Sequence, residues 1–223
     1  MIKADLHIHT YYSIDCLTPL KKIVERCLDL GINCVAVADH NTIAGALKLR
    51  EMAPFKVIIA EEILTPAGEI MGLFLSERVP HRLSVQETIS RIRSQGGLVA
   101  IPHPFGRSMP WNTCSLTSAE VLSQVDIIEV FNSRTPFSAS IARAEKLARQ
   151  YEKPGSAGSD AHTLGEIGRA YVEMPQFDSP ADFLKSLTQG RIVGQKSSYL
   201  PHIASTWAKI RKRMAGDPSR MSP

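Results

Sequence analysis

The chain alternates compact apolar runs with stretches in which apolar residues recur at helical spacing. Four compact runs predict buried strands: Met1–Leu6, Cys34–Ala38, Lys56–Ala60 and Leu98–Ile101. Between them, apolar stripes predict helices at Leu20–Leu30, Thr42–Met52 and Ser84–Gln95. Ser84 followed three residues later by Glu87 is a capping box, which marks the start of the third helix. The first hundred residues therefore follow a strand–helix repeat.

The second half continues this alternation after one hairpin. Glu69–Leu75 is expected to pair with Ile63–Thr65 across a Pro-Ala-Gly turn. Further strands are predicted at Val125–Phe131, Arg169–Met174 and Arg191–Val193. Further helices are predicted at Ala139–Tyr151, Pro180–Thr188 and Leu200–Ala215. Strands that alternate with helices predict an α/β domain built on a parallel sheet.

Histidines and acids follow the ends of these strands. His7 and His9 end the first strand, and residues two apart in a strand point to the same face. Later strand ends carry His40, Glu62, His103, Asn132 and the pair Asp160 and His162. In parallel α/β barrels the functional residues lie at this end of the strands. Convergence of these side chains favours a barrel of about seven strands, because a flat doubly wound sheet would spread them along one edge.

Composition narrows the classes of protein that fit. The chain has 223 residues, of which 43% are hydrophobic, and this is enough for one domain with a sizeable core. No apolar run approaches the roughly 18–20 residues of a membrane span, and the chain does not start with a signal-peptide pattern. The cysteines form no CxxC pair, so we expect reduced thiols in a cytoplasmic protein. They are Cys16, Cys27, Cys34 and Cys114.

The formal net charge of +4 is concentrated at the C-terminal end. From Lys209 onward the chain holds five basic residues and one acidic residue, whereas the rest is formally neutral. We expect the predicted helix Leu200–Ala215 to pack on the rest of the domain with a solvated basic face. The alternative is an arm that binds nucleic acid. The predicted organisation is a domain of residues 1–200, followed by a C-terminal helix and basic tail at residues 201–223.

The number of clustered ligand-type side chains indicates more than one metal ion. Five of the seven histidines lie at the predicted barrel face, together with Asp15 and Asp160. Zinc usually takes four ligands, so this set fits two or three divalent ions of zinc, manganese or iron. His81 and His202 lie elsewhere, and we expect them to be surface or packing residues.

Four sequence blocks occur in a fixed order with strands and helices between them. They are Asp5–Thr10 (DLHIHT), Asp39–Asn41 (DHN) with Glu62 beyond it, Pro102–Pro104 (PHP) and Gly158–His162 (GSDAH). With these blocks the chain resembles the polymerase and histidinol phosphatase (PHP) family of metal-dependent phosphoesterases. The resemblance covers residues 1–200 and implies a distorted (β/α)7 barrel, related to the TIM barrel, with a trinuclear metal site.

The resemblance also implies which residues hold each ion. His7, His9, Glu62 and Asp160 would hold the first. Glu62 would bridge to a second ion that also takes His103, and the third would be held by Asp15, His40 and His162. Many relatives place a histidine where this chain has Glu69, which is then either an oxygen ligand or a residue behind the ligands. The family pattern selects Glu62 and not its neighbour Glu61, whose side chain is expected on the opposite face of the strand.

The chemistry that needs such ions is phosphoester hydrolysis by a metal-activated water. Among the ligands, His103, Asp160 and His162 are the candidates for a catalytic role, the two histidines as proton donors to the leaving oxygen. Three arginines that follow strand ends or motif residues are candidates for clamping a substrate phosphate, or are solvated loop residues: Arg107, Arg134 and Arg169. The loop from Phe105 to Trp111 is either a substrate lid or a cover of the barrel mouth.

We therefore predict a hydrolase acting on a small phosphorylated substrate, either a phosphomonoester or a nucleotide. An exonuclease acting on short RNA or single-stranded DNA with the basic tail is one alternative. A non-catalytic scaffold module is an alternative of another class, although a scaffold has no use for clustered ligands. No membrane association is expected, nucleic acid is the less favoured partner, and the sequence does not define the oligomeric state or the substrate.

Overall fold

One continuous sheet organises the chain in the computed structural model, which describes residues 1–106, 116–197 and 200–214, with only the backbone of residues 200–203. In these ranges the sheet has nine strands. In chain order, β1 to β9 are Ile2–Ile8, Cys34–Val37, Lys56–Thr65, Gly68–Leu73, Leu98–Ile101, Ile127–Asn132, Gly155–Gly158, Ala170–Met174 and Arg191–Gly194. The described helices α1 to α7 are Leu20–Leu30, Ala44–Met52, Val85–Ser94, Ala119–Gln124, Ser138–Gln150, Pro180–Thr188 and Leu200–Met214.

The strand order β7-β6-β5-β4-β3-β2-β1-β8-β9 brings the two ends of the seven-strand run together. The amide of Asp160, just after β7, donates to the carbonyl oxygen of His7 at 2.7 Å, and the amide of His9 donates to that of Ala161 at 2.9 Å. These bonds nearly close the sheet at the end where the predicted ligands lie. The nearly closed, barrel-shaped sheet confirms the predicted fold class.

Not every neighbouring pair of strands is parallel. β1, β2 and β3 are parallel, as are β5, β6 and β7, whereas β4 is antiparallel to both β3 and β5. The pairing of Ile63 with Ile70 confirms the predicted hairpin. β8 and β9 add an antiparallel pair to the outer side of β1, a direction that the strand–helix repeat did not predict. Two further elements, β7 and α4, were also missed.

Buried side chains form two hydrophobic layers on the two faces of the sheet. On β2, Val35 and Val37 pack with residues of α1 to α5, whereas Cys34 and Ala36 belong to the cluster inside the barrel. Phe183 of α6 is fully buried in the inner cluster. The strands alternate between the layers because successive side chains point to opposite faces.

The helix ends follow local sequence signals. The hydroxyl of Ser84 accepts a hydrogen bond from the amide of Glu87, which confirms the predicted N-cap of α3. α1 ends at Gly31 in the left-handed conformation (φ 67°), where a residue without a Cβ is favoured. Among the described helices, none is long and apolar enough to cross a lipid bilayer.

Candidate metal centre

Four side chains from three parts of the sheet converge into a first group of donor atoms, called group 1 below. His7 and His9 at the end of β1 are both buried, and their Nε2 atoms lie 3.2 Å apart. Oδ1 of Asp160 lies 3.2 Å from Nε2 of His9 and 3.8 Å from Nε2 of His7. Oε2 of Glu62 lies 3.5 Å and 3.6 Å from the same two nitrogens. The family resemblance implied this set for the first ion.

These separations match those between the ligands of one ion. Bonds of about 2.0–2.1 Å at a tetrahedral angle place neighbouring ligand atoms about 3.3–3.4 Å apart. The distances between donor atoms in group 1, from 3.2 to 3.8 Å, bracket that value. The donors are two imidazole nitrogens and two carboxylate oxygens, a mixed set that suits zinc, iron and manganese.

Glu62 links group 1 to a second cluster, called group 2. Its other oxygen, Oε1, lies 2.8 Å from Nε2 of His103. Glu69 approaches from β4, with one oxygen 3.9 Å from His103 Nε2 and the other 3.8 Å from His40 Nδ1. The chain therefore brings Glu69 to group 2 as a second carboxylate beside Glu62. The two oxygens of Glu62 face different groups, as in a bridging ligand.

A third cluster, group 3, is centred on one oxygen of Asp15. Oδ2 of Asp15 lies 3.2 Å from Nε2 of His40 and 3.2 Å from Nε2 of His162. His9 lies close enough to share this group. Nζ of Lys209, which sequence analysis did not assign to the site, also lies 3.2 Å from Asp15 Oδ2. The predicted ligands are thus all brought together, in overlapping groups.

Several donors in these groups have no hydrogen-bond partner in the part of the chain that the structure describes. Oε2 of Glu62, Oδ1 of Asp160 and Nε2 of His162 are buried in this way. A buried polar atom without a partner costs on the order of 1–3 kcal/mol. Each of these atoms faces one of the three groups. The residues present therefore fit metal ions, which would satisfy the three atoms at once.

Backbone conformation helps to aim two of the ligands. His103 and Asp160 follow β5 and β7 with positive φ values of 27° and 53°. Residues other than glycine rarely adopt such values, and where they do, the strain is often found at functional sites. Each residue lies two positions after the end of its strand, and its side chain belongs to one of the donor groups.

Residues behind the ligands fix the imidazole rings. Glu129 of β6 lies with Oε1 3.1 Å from Nδ1 of His7, and its Oε2 accepts from the amide of His103 at 2.7 Å. Asn132 donates from Nδ2 to Glu129 at 3.0 Å and to Asp160 at 3.3 Å. Asn132 also accepts from a backbone amide in the following turn. It therefore both contacts the site and takes part in the turn that follows β6.

The acidic residues of the first two blocks support the loops rather than the ions. Asp5 accepts from the hydroxyl of Ser159 at 2.6 Å and from the amides of Ser159 and Gly168, each at 2.9 Å. Asp39 accepts from the amide and the hydroxyl of Thr10, both at 2.6 Å. Asp5 can point away from the barrel while His7 points in because the register of β1 shifts between Asp5 and Ile8.

Charge and burial set the two histidines of β1 apart. Burial alone would lower the pKa of His7, but Glu129 and Asp160 outweigh it and raise that pKa well above its ordinary value. Burial and the neighbouring His162 lower the pKa of His9 to about 3, despite its contact with Asp160. His9 is therefore a neutral ring, the form in which a histidine binds a metal.

The carboxylates of the site are held in the ionised form. Burial would raise the pKa of Glu62, but His40 and His7 outweigh it and hold that pKa well below its usual range. The same balance, with His7 as the largest opposing charge, lowers the pKa of Asp160. Carboxylates must be ionised to bind a metal, so both residues are ready for that role.

The predicted phosphate-binding arginines have different surroundings. Arg134 is buried, with Nε donating to Glu166 at 2.9 Å and Nη1 lying 3.1 Å from Nδ1 of His162. Arg169 lines a separate cavity of about 380 Å³ together with Arg26, and its Nε donates to the carbonyl oxygen of Gly165. The structure therefore brings Arg134 behind a ligand and does not bring Arg169 to the three groups. Arg107 and most of the predicted lid lie outside the described residues.

Glu61 and Cys16 lie close to ligands along the chain but have other roles. Glu61 points to the other face of β3, where its Oε2 accepts from the amide of Val79 at 2.8 Å. Cys16 donates to the carbonyl oxygen of His162 at 3.2 Å, and burial raises the pKa of its thiol to about 12. A thiol so rarely ionised is a poor nucleophile.

Sequence reasoning missed several residues that complete the site. Glu129 lies in an apolar strand, and Glu166 accepts from the amide of His162 at 3.0 Å and from the side chain of Arg134. A carboxylate inside an apolar run was the available signal for Glu129. Lys209 has no local signal that separates it from the surrounding basic residues.

Two family models and two known proteins match this chain in sequence. A family model described as PHP domain matches residues 5–68, and one described as PHP-associated matches residues 140–192. Uncharacterized protein MJ0417 of Methanocaldococcus jannaschii is 35% identical over 196 residues, which cover 83% of this chain and 79% of that protein. Uncharacterized protein MJ1587 of the same organism is 39% identical over 146 residues, covering 59% of this chain and 82% of that protein.

A solved structure shares the fold. A two-domain protein from Bacteroides vulgatus, containing a predicted PHP-like metal-dependent phosphoesterase, superposes with a TM-score of 0.71 at 16% identity. The match covers 93% of this chain and 69% of that protein. The sequence blocks, the converging donors, the family models and the relative of similar length agree. The chain belongs to the PHP family.

Proposed function

We propose that this protein is a metal-dependent hydrolase of small phosphomonoesters, such as a phosphorylated metabolite or a nucleotide. The observation that carries the proposal is the sharing of Glu62 between groups of buried nitrogen and oxygen donors. Two or three divalent ions of zinc, manganese or iron are the cofactors that fit. When bound about 3.5–4 Å apart, such ions lower the pKa of a bridging water and neutralise phosphoryl charge.

The chain's own residues then have distinct tasks. His7, His9 and Asp160 fix one side of the site, and Asp15 with His162 fixes the other. His103, partly exposed and with Nε2 2.8 Å from Glu62, would hold the second ion together with Glu62. No covalent step is proposed, because the nearby thiol of Cys16 is buried and protonated.

The C-terminal helix favours a small substrate over a nucleic acid. Lys212 is buried and donates to the carbonyl oxygens of Tyr11 and Ser13, the latter at 2.7 Å. Lys209 pairs with Asp15. The buried charge of Lys212 is therefore not free to neutralise a nucleic-acid backbone, and the charge of Lys209 is directed to Asp15 at the site rather than along the outer face of the helix. Salt dependence separates the two readings, because a nuclease that relies on this helix loses affinity steeply as salt increases.

The direct experiment is a hydrolysis screen of Mn²⁺-loaded protein on sugar phosphates, mononucleotides and short single strands. We expect activity on phosphomonoesters, and loss of that activity in Asp160→Asn and His9→Ala with the fold retained. Losing a ligand should cost several kcal/mol of transition-state stabilisation. Retention of most of kcat in either variant, or cleavage of single strands alone, would contradict the proposal. A protein that binds metal but hydrolyses none of the substrates would favour the scaffold.

The cytoplasmic location and the domain boundary near residue 200 remain predictions. The free, buried thiols of Cys16, Cys27 and Cys34 support a reducing compartment.

A further inference from the structure

The C-terminal helix α7 is fixed to the mouth of the metal centre at two points. Lys212 is 4% exposed and donates to the carbonyl oxygens of Tyr11 and Ser13, in the loop that leads to the ligands of group 3. Two turns earlier, Ser205 accepts from Nη2 of Arg134 at 3.2 Å. Both partners are part of the site's framework. The helix is therefore positioned by the same residues that position the ligands.

Lys209 lies between these two anchors and on the same face of α7. Residues three and four apart on a helix are neighbours, so the positions of Ser205 and Lys212 direct Lys209 toward the site. Its Nζ lies 3.2 Å from Oδ2 of Asp15. The side chain of Lys209 is 40% exposed, whereas that of Asp15 is 2% exposed. The ammonium group thus reaches in from the solvent side and covers the central oxygen of group 3.

The ammonium group retains capacity for a further ligand. A lysine has three N–H donors and no acceptor. Within the described part of the chain, the ion pair of Lys209 is with Asp15. The side chain is 40% exposed, so its ammonium group stands at a solvent-exposed opening beside Asp15. Neither Arg134, buried behind His162, nor Arg169, in a separate cavity, offers a charge at this opening.

We propose that Lys209 binds a phosphoryl oxygen at the mouth of the site, while Asp15 holds its ammonium group in place. The ligand is the phosphate group of the substrate and the inorganic phosphate that hydrolysis releases. This inference rests on the proposed function and adds the residue that orients the phosphate. The surrounding carboxylates repel an anion, and a cation fixed at Asp15 offsets part of that repulsion.

The test measures phosphate binding rather than turnover. Metal-loaded protein is titrated with inorganic phosphate by calorimetry, and its metal content is measured by elemental analysis. In Lys209→Met we expect the Kd for phosphate to rise about tenfold, the loss of one partly exposed charge-assisted hydrogen bond. Metal content should stay the same, and Lys209→Arg should recover most of the affinity.

Arg211→Met is the matched control. Arg211 lies on the exposed face of the same helix, over the ring of Trp207, so its removal takes away an equal charge without touching the site. We expect phosphate affinity within twofold of the unchanged protein. Equal losses in the Lys209→Met and Arg211→Met variants would overturn the proposal, because they would indicate a diffuse effect of net charge.

Two further results would overturn it. Unchanged phosphate affinity in Lys209→Met would show that the ammonium group does not meet the ligand. A higher metal content in that variant would show that the ammonium group takes the place of an ion instead. If the methionine variant melts early, Lys209→Gln provides a second neutral side chain. Failure of the proposed hydrolysis would appear in the substrate screen and would leave the phosphate titration readable.

Discussion

Replacing Glu129 with glutamine should weaken metal binding at group 1 without removing any ligand. Glu129 is 3% exposed, and its two oxygens have different partners. Oε1 lies 3.1 Å from Nδ1 of His7, and Oε2 accepts from the amide of His103 at 2.7 Å and from Nδ2 of Asn132 at 3.0 Å. For His7 to bind an ion through Nε2, its Nδ1 must carry the proton and donate it to Glu129.

A glutamine cannot satisfy both sides. If its oxygen faces His7, its NH2 group faces two donors, those of His103 and Asn132. If it is flipped, the NH2 group faces Nδ1 of His7 and favours the tautomer that protonates Nε2, which blocks the metal. Loss of such a supporting carboxylate typically costs 10–100-fold in metal affinity. That range corresponds to about 1.4–2.7 kcal/mol.

The assay is competition for Zn²⁺ between metal-free protein and a chromogenic chelator, which reports the Kd of each ion that the protein takes from the chelator. Glu145→Gln is the control, because Glu145 lies on the exposed side of α5 and pairs only loosely with Arg149, at 3.9 Å. A melting curve of each metal-free variant checks the fold. If Glu129→Gln binds the first ion within twofold of the unchanged protein, the argument from the orientation of His7 is refuted.

Three further predictions concern the framework. Asp5→Asn should lower the free energy of unfolding, measured in urea, by about 3 kcal/mol, because an NH2 group would then face donors of the loop after β7. Asp29 is exposed, so the control Asp29→Asn should change that free energy by less than about 0.5 kcal/mol. Gly158→Ala should destabilise the protein by at least about 2 kcal/mol and lower its metal content, because the new Cβ would lie 2.3 Å from a side-chain carbon of β1. Gly165→Ala, whose Cβ would have nothing within 4 Å, is the control, and equal losses in both would contradict this account. Burial raises the pKa of three thiols to about 12, those of Cys16, Cys27 and Cys34. At pH 8 only about one such thiol in ten thousand is ionised. In a Cys114→Ser background we therefore expect no reaction with a thiol reagent until the protein is unfolded. Rapid labelling of the native protein would refute this prediction.

The strands of the first half could be predicted because each contains a compact, mainly apolar stretch that is buried on both faces. Cys34–Val37 is fully buried, and so are most residues of β1 and β5. The common face of His7 and His9 followed from their spacing. The register shift in β1 could not be predicted, because it arises from the pairing of β1 with β2 and has no marker in the local sequence.

β7 could not be recognised from its sequence. Its residues Gly155–Gly158 lack the β-branched and aromatic side chains that mark strands. The structure gives the reason, since a Cβ at Gly158 would lie 2.3 Å from Cβ and 2.7 Å from the amide nitrogen of His7. Small residues let the last strand of the run approach β1 and bring Asp160 into group 1. The small side chains that hide β7 from sequence-based prediction therefore also allow the sheet to close.

The residues of the candidate site also include some that could be predicted from the sequence and some that could not. The ligand-type residues could be predicted because they follow strand ends, and strand ends meet on one face of a barrel. The role of Glu129 could not be predicted, because it depends on contact with His7, which lies far away in the sequence. The basic helix was expected to carry a solvated face. That holds for Arg211 and Arg213, whereas Lys209 and Lys212 turn inward to partners contributed by the loop after β1.

The central claim is that the converging side chains form one multinuclear metal centre. The most direct test is an anomalous-scattering map from crystals of the protein grown with Mn²⁺. We expect two or three peaks, with one ion among His7, His9 and Asp160, one beside His103, and, where three are present, one beside Asp15. A single ion elsewhere on the surface, or a map without peaks at these side chains despite Mn²⁺ in excess, would contradict it.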